Sequence, residues 1–569
     1  MTRKTAGGAT EEIEYGPAEE SAKALGAFYT DVQVADFLVW WAIRSARDTV
    51  MDPSFGGGVF LRSACRRLVN LGGQPAAQVF GAEIDPGVYS LIVDKLSDEF
   101  GLGKRNLWHG DFFDIEPLPV RQVDAIVGNP PFVRYQRFTG DARTRALGRA
   151  AEQGVRLTEL SSSWAPFVVH SIAFLKRGGR LAMVLPMEIG HAAYAVPVLQ
   201  YLSRSFGKIT LLTFRKKLFP NLSEDTLLLL AEDKSASSSR FFIRDLAHSG
   251  LLSEIQYRGR LPLPGTRQMN GSSLTEGTER FVHYLIPRKA RTLYRELRGL
   301  AKTKRLGEIA DVGIGYVTGA NDFFHLSPSD ADKWGIPKRF LKPAVRKGRA
   351  LLGLAFTRQD WWMASEAGEA GYLLFIQGQA DLPESVLRYL KYGEDQGIPQ
   401  SYKCRTRSPW FSVPHVRQPD AFLTYMSGEM PRLVTNHANA IAPNSLHILR
   451  LHPYTTLKSD ALAVLWQTSL TQLSAEIEGH ALGGGMLKME PTEAENVIIA
   501  TGEIGNGDLL DLSKELDALV RRGEVETCHR LADDFVMRRQ LGLSKSDCTL
   551  LSSAAEMLRN RRYSRSVAK

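Results

Sequence analysis

Four consecutive residues, Asn129-Pro130-Pro131-Phe132, stand directly behind the apolar run Ala125-Ile126-Val127 and Gly128. Tandem prolines fix φ twice and remove two backbone donors, so what remains is a rigid set of carbonyl acceptors. The Asn129 side-chain oxygen and the Pro130 carbonyl suit the two N–H groups of a planar exocyclic amine. Held in that way, the amine lone pair is drawn out of conjugation and toward an electrophile. Phe132 is placed to stack on the ring that carries the amine.

A second cluster precedes it. Asp52-Pro53-Ser54-Phe55-Gly56-Gly57-Gly58 closes one apolar run and opens an amphipathic stretch, and its glycines let the backbone approach a ligand where a Cβ would clash. Leu61 stands where a dinucleotide fingerprint keyed on Gly56 and Gly58 would need its third glycine, which disfavours a nicotinamide cofactor. Polar residues then end the successive runs: Asp52, Glu83, Asp111 and Asn129. Glu83 can accept from both hydroxyls of a ribose and Asp111 from an adenine amine, while Ile84 and Phe112 can sandwich the ring.

The elements that must position these groups follow from alternating short apolar runs and amphipathic stretches. The pattern predicts strands over 49–51, 78–82, 106–109, 124–127, 180–185, 209–214 and 226–231, with helices over 59–71, 88–100 and 164–176. Residues 215–225 are too few for a helical crossover, so the last two strands must pair antiparallel. The expected fold is α/β, a doubly wound, mostly parallel, seven-stranded Rossmann-like sheet whose strand ends line one crevice. The Ser-rich stretch 235–239 is read as a boundary, giving a flexible N-terminus over 1–22, a catalytic domain over 23–240, a mixed α+β domain over 241–500 and a helical segment over 501–569.

The Asp-Pro-Ser-x-Gly-x-Gly turn, Glu83 and Asn129-Pro130-Pro131-Phe132, in this order, resemble the S-adenosylmethionine-dependent N6-adenine DNA methyltransferases. A large C-terminal region after the catalytic motif is similar to the gamma class, of TaqI and Eco57I type. The resemblance implies S-adenosylmethionine as cofactor, held by Tyr29, Thr30, Asp52, Pro53, Ser54, Gly56, Gly58, Glu83, Ile84, Asp111 and Phe112. In that class the Thr30 position touches the methionine end of the cofactor, and Phe167 matches an aromatic beside it. The resemblance also implies that Asn129, Pro130 and Phe132 act on an adenine turned out of the duplex. Phe219, in Lys217-Leu218-Phe219-Pro220, matches an aromatic packed on that base. The likeness reaches more loosely to the glycines at 313–319 and 483–485. The tetrapeptide also occurs in protein-glutamine and guanine-N2 methyltransferases, so it specifies a planar amine more firmly than it specifies adenine.

Cations cluster after the catalytic motif. Residues 338–349 hold six Lys or Arg and no acid, and 288–305 hold eight with one acid. Phosphate contact is expected from Lys338, Arg339, Lys342 and Arg346, from Arg405 and Arg407 among interleaved aromatics, and from Arg134 and Arg137 behind the tetrapeptide. The cations at 559–569 are read as a solvated helix face, and Trp410 and Phe411 as either core or surface.

The 569 residues carry 71 Lys and Arg against 62 Asp and Glu, a net +9 that suits a polyanionic partner, here double-stranded DNA. Disorder and mini-scaffolds are excluded by length and hydrophobic content. The four cysteines form no C-x-x-C pair, which argues against zinc and disulfides, and no apolar stretch is long enough for a membrane helix. The expected setting is the prokaryotic cytoplasm at the nucleoid, in restriction-modification or phage defence, with a cognate endonuclease as a candidate partner and a monomer compatible with the sequence. The competing readings are a methyltransferase of RNA or protein glutamine, a fusion with its own nuclease, and a silent DNA-binding subunit.

Overall fold

A computed structural model describes residues 30–219, 225–236, 240–259, 265–377, 382–502 and 506–564. The chain divides into two compact units, Met1–Phe281 and Val282–Lys569.

The first unit is built on one sheet. Its strands are β1 (Val50–Asp52), β2 (Val79–Glu83), β3 (Leu107–His109), β4 (Val123–Gly128), β5 (Leu175–Pro186), β6 (Phe206–Phe214), β7 (Thr226–Lys234), β8 (Arg240–Leu246) and β9 (Arg267–Met269). They lie in the order β3-β2-β1-β4-β5-β7-β6-β8-β9. Pairing is parallel from β3 through to β5, antiparallel on both sides of β7, parallel between β6 and β8, and antiparallel for β9. Each expected strand is present, and the short loop does force β6 and β7 antiparallel. Two expectations need correction. Among the described residues the sheet has nine strands rather than seven, and it continues past the Ser-rich stretch, because β8 pairs with β6; residues 237–239 of that stretch lie outside the described residues. The unit therefore runs to Phe281 and not to 240.

Helices are set by local signals. Helix α1 (Val32–Ala42) is capped by Asp31, whose carboxylate accepts from the Gln33 N–H. Helix α2 (Val59–Leu71) lies between Gly58 and Gly72, both left-handed. Helix α3 (Pro86–Phe100) has Pro at its first position and an Asp85 cap accepting from Gly87 and Val88. Helix α4 (Gly140–Glu152) is amphipathic. Helix α5 (Trp164–Ala173) is buried at every position from Trp164 to Ile172, as a helix that is apolar all round must be. It stops three residues earlier than expected, because Leu175 already pairs with Val123 and a bulge separates that pair from Ala125–Arg180.

In the second unit a five-stranded sheet runs in the order Ala310–Ile314, Leu446–Leu451, Ala421–Thr424, Leu433–Asn436, Ala355–Phe356. A three-stranded sheet places Ala370–Leu374 between His325–Leu326 and Leu341–Val345. Gly315 is required here, since a Cβ would fall 2.2 Å from the Ala442 carbonyl oxygen. Trp410 and Phe411 pack half-buried against a core containing Phe323 and Phe324, so they are core residues. The C-terminal helices are part of this unit: Asn506–Arg521 packs on Ser459–Leu465, and Lys545–Tyr563 on Ser469–Glu478.

In that last helix Arg562 departs from the solvated-face reading of the cations at 559–569, of which Arg565 and Lys569 lie outside the described residues. The Arg562 side chain is 2% exposed and bidentate on Glu476, itself 3% exposed, at 2.9 and 3.0 Å. The same guanidinium donates to the carbonyls of Gly428, Glu429 and Gly485. A buried pair of this kind is destabilising to break from one side, by about 3 to 5 kcal/mol, because the remaining charge stays desolvated. Arg562→Ala is therefore expected to lower the second unit's unfolding free energy, read from its urea transition, by an amount of that order. The double variant with Glu476→Ala should lose less than Arg562→Ala alone; an equal or larger loss would show that the pair is not the reason.

Candidate active site

The strand order reverses between β1 and β4, whose neighbours β2 and β5 lead away on opposite sides. That switch point opens a crevice at the carboxyl ends of the parallel strands. Asp52 is the last residue of β1, Glu83 of β2, Gly128 of β4, and Asn129 follows. The approach is close enough that a Cβ on Gly128 would sit 2.8 Å from Asp52 Oδ1.

Asp52 is fully buried. Its Oδ1 accepts from the Ser54 N–H at 3.1 Å, while Oδ2 has no partner among the described residues. Burial pushes its carboxyl up to about 8, against the Ser54 N–H, with the Glu83 charge adding to the rise. Pro53 follows it into the turn, and the Ser54 hydroxyl lies 3.5 Å from the Asn129 carbonyl oxygen. Glu83 tacks the glycine turn to the end of β2: one oxygen accepts from Gly56 at 2.8 Å and the other from Asp85 at 2.9 Å. Gly56 lies open, with nothing within 4 Å of a Cβ built on it, whereas a Cβ on Gly58 would meet Ile92 at 2.6 Å. Gly56 thus leaves space at the crevice, and Gly58 lets α2 approach α3.

Asn129 is tied through its amide nitrogen to the Thr30 hydroxyl at 3.2 Å, and its Oδ1 is buried with no partner among the described residues. Tyr29, expected beside Thr30, lies outside the described residues. Phe132 and Phe219 are both buried, at 7% and 8% exposure.

Asp111 is engaged on both oxygens, by the Phe113 N–H at 3.0 Å and by Arg145 of α4 at 3.0 Å. The expected sandwich is only half available. Ile84 is 53% exposed and offers an open face, but the Phe112 ring is buried. It stacks on Phe167 with centroids 5.2 Å apart and lies against His170 and Phe174. Burial holds the His170 imidazole down to about 4, so it is neutral, with Nε2 at 3.0 Å from the Ile115 carbonyl.

The cations divide by environment. Arg134 and Arg137 are exposed on the turn behind the tetrapeptide. Lys338, Arg339 and Arg405 are exposed in the second unit, with Arg339 over the Phe340 ring and Arg405 over Tyr402. Lys342 is half-buried over Phe375, and Arg346 lies 3.4 Å from Asp322. Arg407 is a correction: it donates to the carbonyls of Val317 and Thr318 at 2.6 and 2.7 Å, so it braces the Gly313–Gly319 loop instead of facing a phosphate. Arg145 and Ser163 were missed in the sequence. Arg145 sits mid-helix with no distinguishing signal, while the Ser161-Ser162-Ser163 run before an apolar helix was a visible one.

Residues 5–245 match the family model N-6 DNA Methylase, and residues 278–537 match that of the Type II methyltransferase M.Eco57I, C-terminal domain. Over its first 245 residues the chain is thus similar to the N-6 DNA methylases. It is 22% identical to the type II methyltransferase M.AccI of Acinetobacter calcoaceticus, over 88% of this chain and 91% of that one. It is 24% identical to M.XamI of Xanthomonas campestris pv. amaranthicola, over 86% and 88%. Among solved structures, the Type IIL restriction-modification enzyme MmeI in complex with DNA superposes with a TM-score of 0.58 at 14% identity, over 96% of this chain and 80% of that one. The DrdV–DNA complex gives 0.52 at 12% identity, over 89% and 58%. These likenesses establish the fold. Among the described residues no helix is long and apolar enough to cross a membrane, and no cluster of metal-binding side chains occurs.

The Asp52 carboxyl gives this site a pH signature. With its value raised from 3.8 to about 8, the folded protein keeps a proton that the unfolded chain has lost between those limits. Asp52 therefore lowers stability progressively as pH rises from about 4 to 8. Without added ligand, Asp52→Asn should melt with the wild type near pH 4 and increasingly above it toward pH 8, by thermal unfolding of the first unit. A melting difference that does not change with pH would contradict the raised value.

Proposed function

We propose that this protein transfers a methyl group from S-adenosylmethionine to the N6 amine of an adenine in double-stranded DNA, at a specific site, within a restriction-modification system. The observation that carries the reading is the Asn129 side chain. Its nitrogen is committed to Thr30, and its buried oxygen lacks a donor among the described residues. A buried acceptor left without a donor costs about 1 to 3 kcal/mol, so its persistence points to a ligand that supplies one. An exocyclic amine does so, and the Pro130 carbonyl takes its second N–H.

The crevice suits the cofactor as well. Glu83 would hold the ribose hydroxyls, Asp111 the adenine amine, and Ile84 one face of the adenine ring, with Gly56 leaving room. Asp52 Oδ2, the other acceptor without a donor among the described residues, would accept a hydrogen bond from the ammonium of the methionine end, whose charge favours the ionised carboxylate, beside Pro53, Ser54 and the Tyr29-Thr30 segment. When bound, S-adenosylmethionine supplies an electrophilic methyl on a sulfonium. The protein's own part is to hold the amine nitrogen with its lone pair toward that methyl, Phe132 and Phe219 gripping the base. The amine proton leaves after transfer, so no tuned general base is needed, and the rate comes from orientation. A base committed to pairing cannot reach such a site, so the adenine is turned out of the duplex. The exposed Arg134, Arg137, Lys338, Arg339 and Arg405 are suited to the DNA backbone. A restriction endonuclease is the fitting partner in such a system.

Long-read sequencing of DNA from cells expressing the protein should reveal modified adenine at one short motif, absent with Asn129→Ala. An unchanged signal in the variant would show that Asn129 does not hold the acceptor.

A further inference from the structure

Each peptide group flanking Phe132 is bonded to the same hydroxyl. Ser163 Oγ donates to the Pro131 carbonyl and accepts from the Val133 N–H at 2.9 Å, and the Ser163 N–H donates back to the Val133 carbonyl at 3.0 Å. The two prolines lock φ at 130 and 131 through their rings, which leaves the torsions around Phe132 as the soft ones in the tetrapeptide. The three bonds to Ser163 fix those.

Ser163 is suited to be a fixed point. It is 3% exposed and stands at the start of α5. Trp164, the first helical residue, is fully buried, and its indole N–H donates to the Tyr194 hydroxyl at 3.0 Å. Tyr194 in turn donates to Glu188 at 2.6 Å, just past the end of β5. A serine at a helix start ordinarily turns its oxygen to the first free N–H groups of its own helix. Here no such bond is made. The hydroxyl is directed to the loop that follows β4.

We infer that Ser163 is the positioning residue of the acceptor site, holding the Phe132 ring and the Pro130-Pro131 carbonyls in the geometry that methyl transfer needs. This rests on the proposed adenine reading. Ser163 touches neither acceptor nor donor, so its removal should slow the chemical step and spare binding. A misplacement of about 1 Å at such a site slows the step on the order of 100-fold.

The test is single-turnover methylation of a cognate duplex by the full chain, with S-adenosylmethionine affinity, DNA affinity and melting temperature measured on the same variants. Ser163→Ala is expected to lower the rate about 10- to 100-fold, with both affinities and the melting temperature close to wild type. Ser163→Thr, which keeps the hydroxyl, is expected to recover most of the rate, and Ser163→Cys, a weaker donor and acceptor, to fall between. A wild-type rate for Ser163→Ala, or rate losses in the Ala and Cys variants that track lost melting temperature and cofactor affinity, would overturn the inference. Asn129→Ala separates the two claims. If it stays active the adenine reading fails; if it is inactive while Ser163→Ala is fully active, only the role of Ser163 fails.

Discussion

The site depends on how near the ends of β1 and β4 come to each other. Adjacent parallel strands lie roughly 4.8 Å apart, and where they end at a switch of strand order the chains must diverge, which leaves a crevice between two closely spaced backbones. Gly128 allows Asp52 to be enclosed at that point, since any larger residue would collide with its carboxylate. Asp52 in turn organises the glycine turn through Ser54, Glu83 ties that turn to β2, and the Ser54 hydroxyl lies at the edge of bonding distance from the tetrapeptide. The glycine turn and the tetrapeptide are thus one connected structure around two strand ends.

The arrangement leaves two buried oxygens, Asp52 Oδ2 and Asn129 Oδ1, without partners among the described residues. Neither would survive in a site built for stability alone, because each is desolvated with nothing in return. The surrounding packing holds them in place: β4 is almost fully buried, and the Phe112, Phe167, His170 and Phe174 rings fill the space behind. Strain of this kind concentrated beside a rigid Pro-Pro turn is what a preorganised site requires, since groups already desolvated and oriented need no rearrangement when substrate arrives.

Much of this was legible in the sequence. Apolar runs followed by a single polar residue gave Asp52, Glu83, Asp111 and Asn129 at strand ends, and strand order then gathered them on one edge. What escaped was decided by tertiary neighbours. Strands β8 and β9 follow a Ser-rich stretch of sequence that reads locally as a linker, and only the pairing of β8 with β6 and of β9 with β8 shows that the sheet continues. The Phe112 ring reads as a ligand face from its place after Asp111, yet packing turns it into a stack with Phe167. Arg407 and Arg562 carry the composition of DNA-facing or solvated cations, and both serve carbonyls or a buried carboxylate. A cation's partner is not written in its neighbours along the chain. The same holds for Ser163, thirty-odd residues from the loop it fixes.

The chemistry claimed for the crevice is tested most directly by following the methyl group itself. Purified protein would be incubated with duplex DNA containing its target site and S-adenosylmethionine bearing a trideuterated methyl group, and the DNA digested to nucleosides for mass spectrometry. The account predicts the label in N6-methyldeoxyadenosine and in no other nucleoside. Label in a methylated cytosine or guanine, or in the protein with none in the DNA, would contradict it.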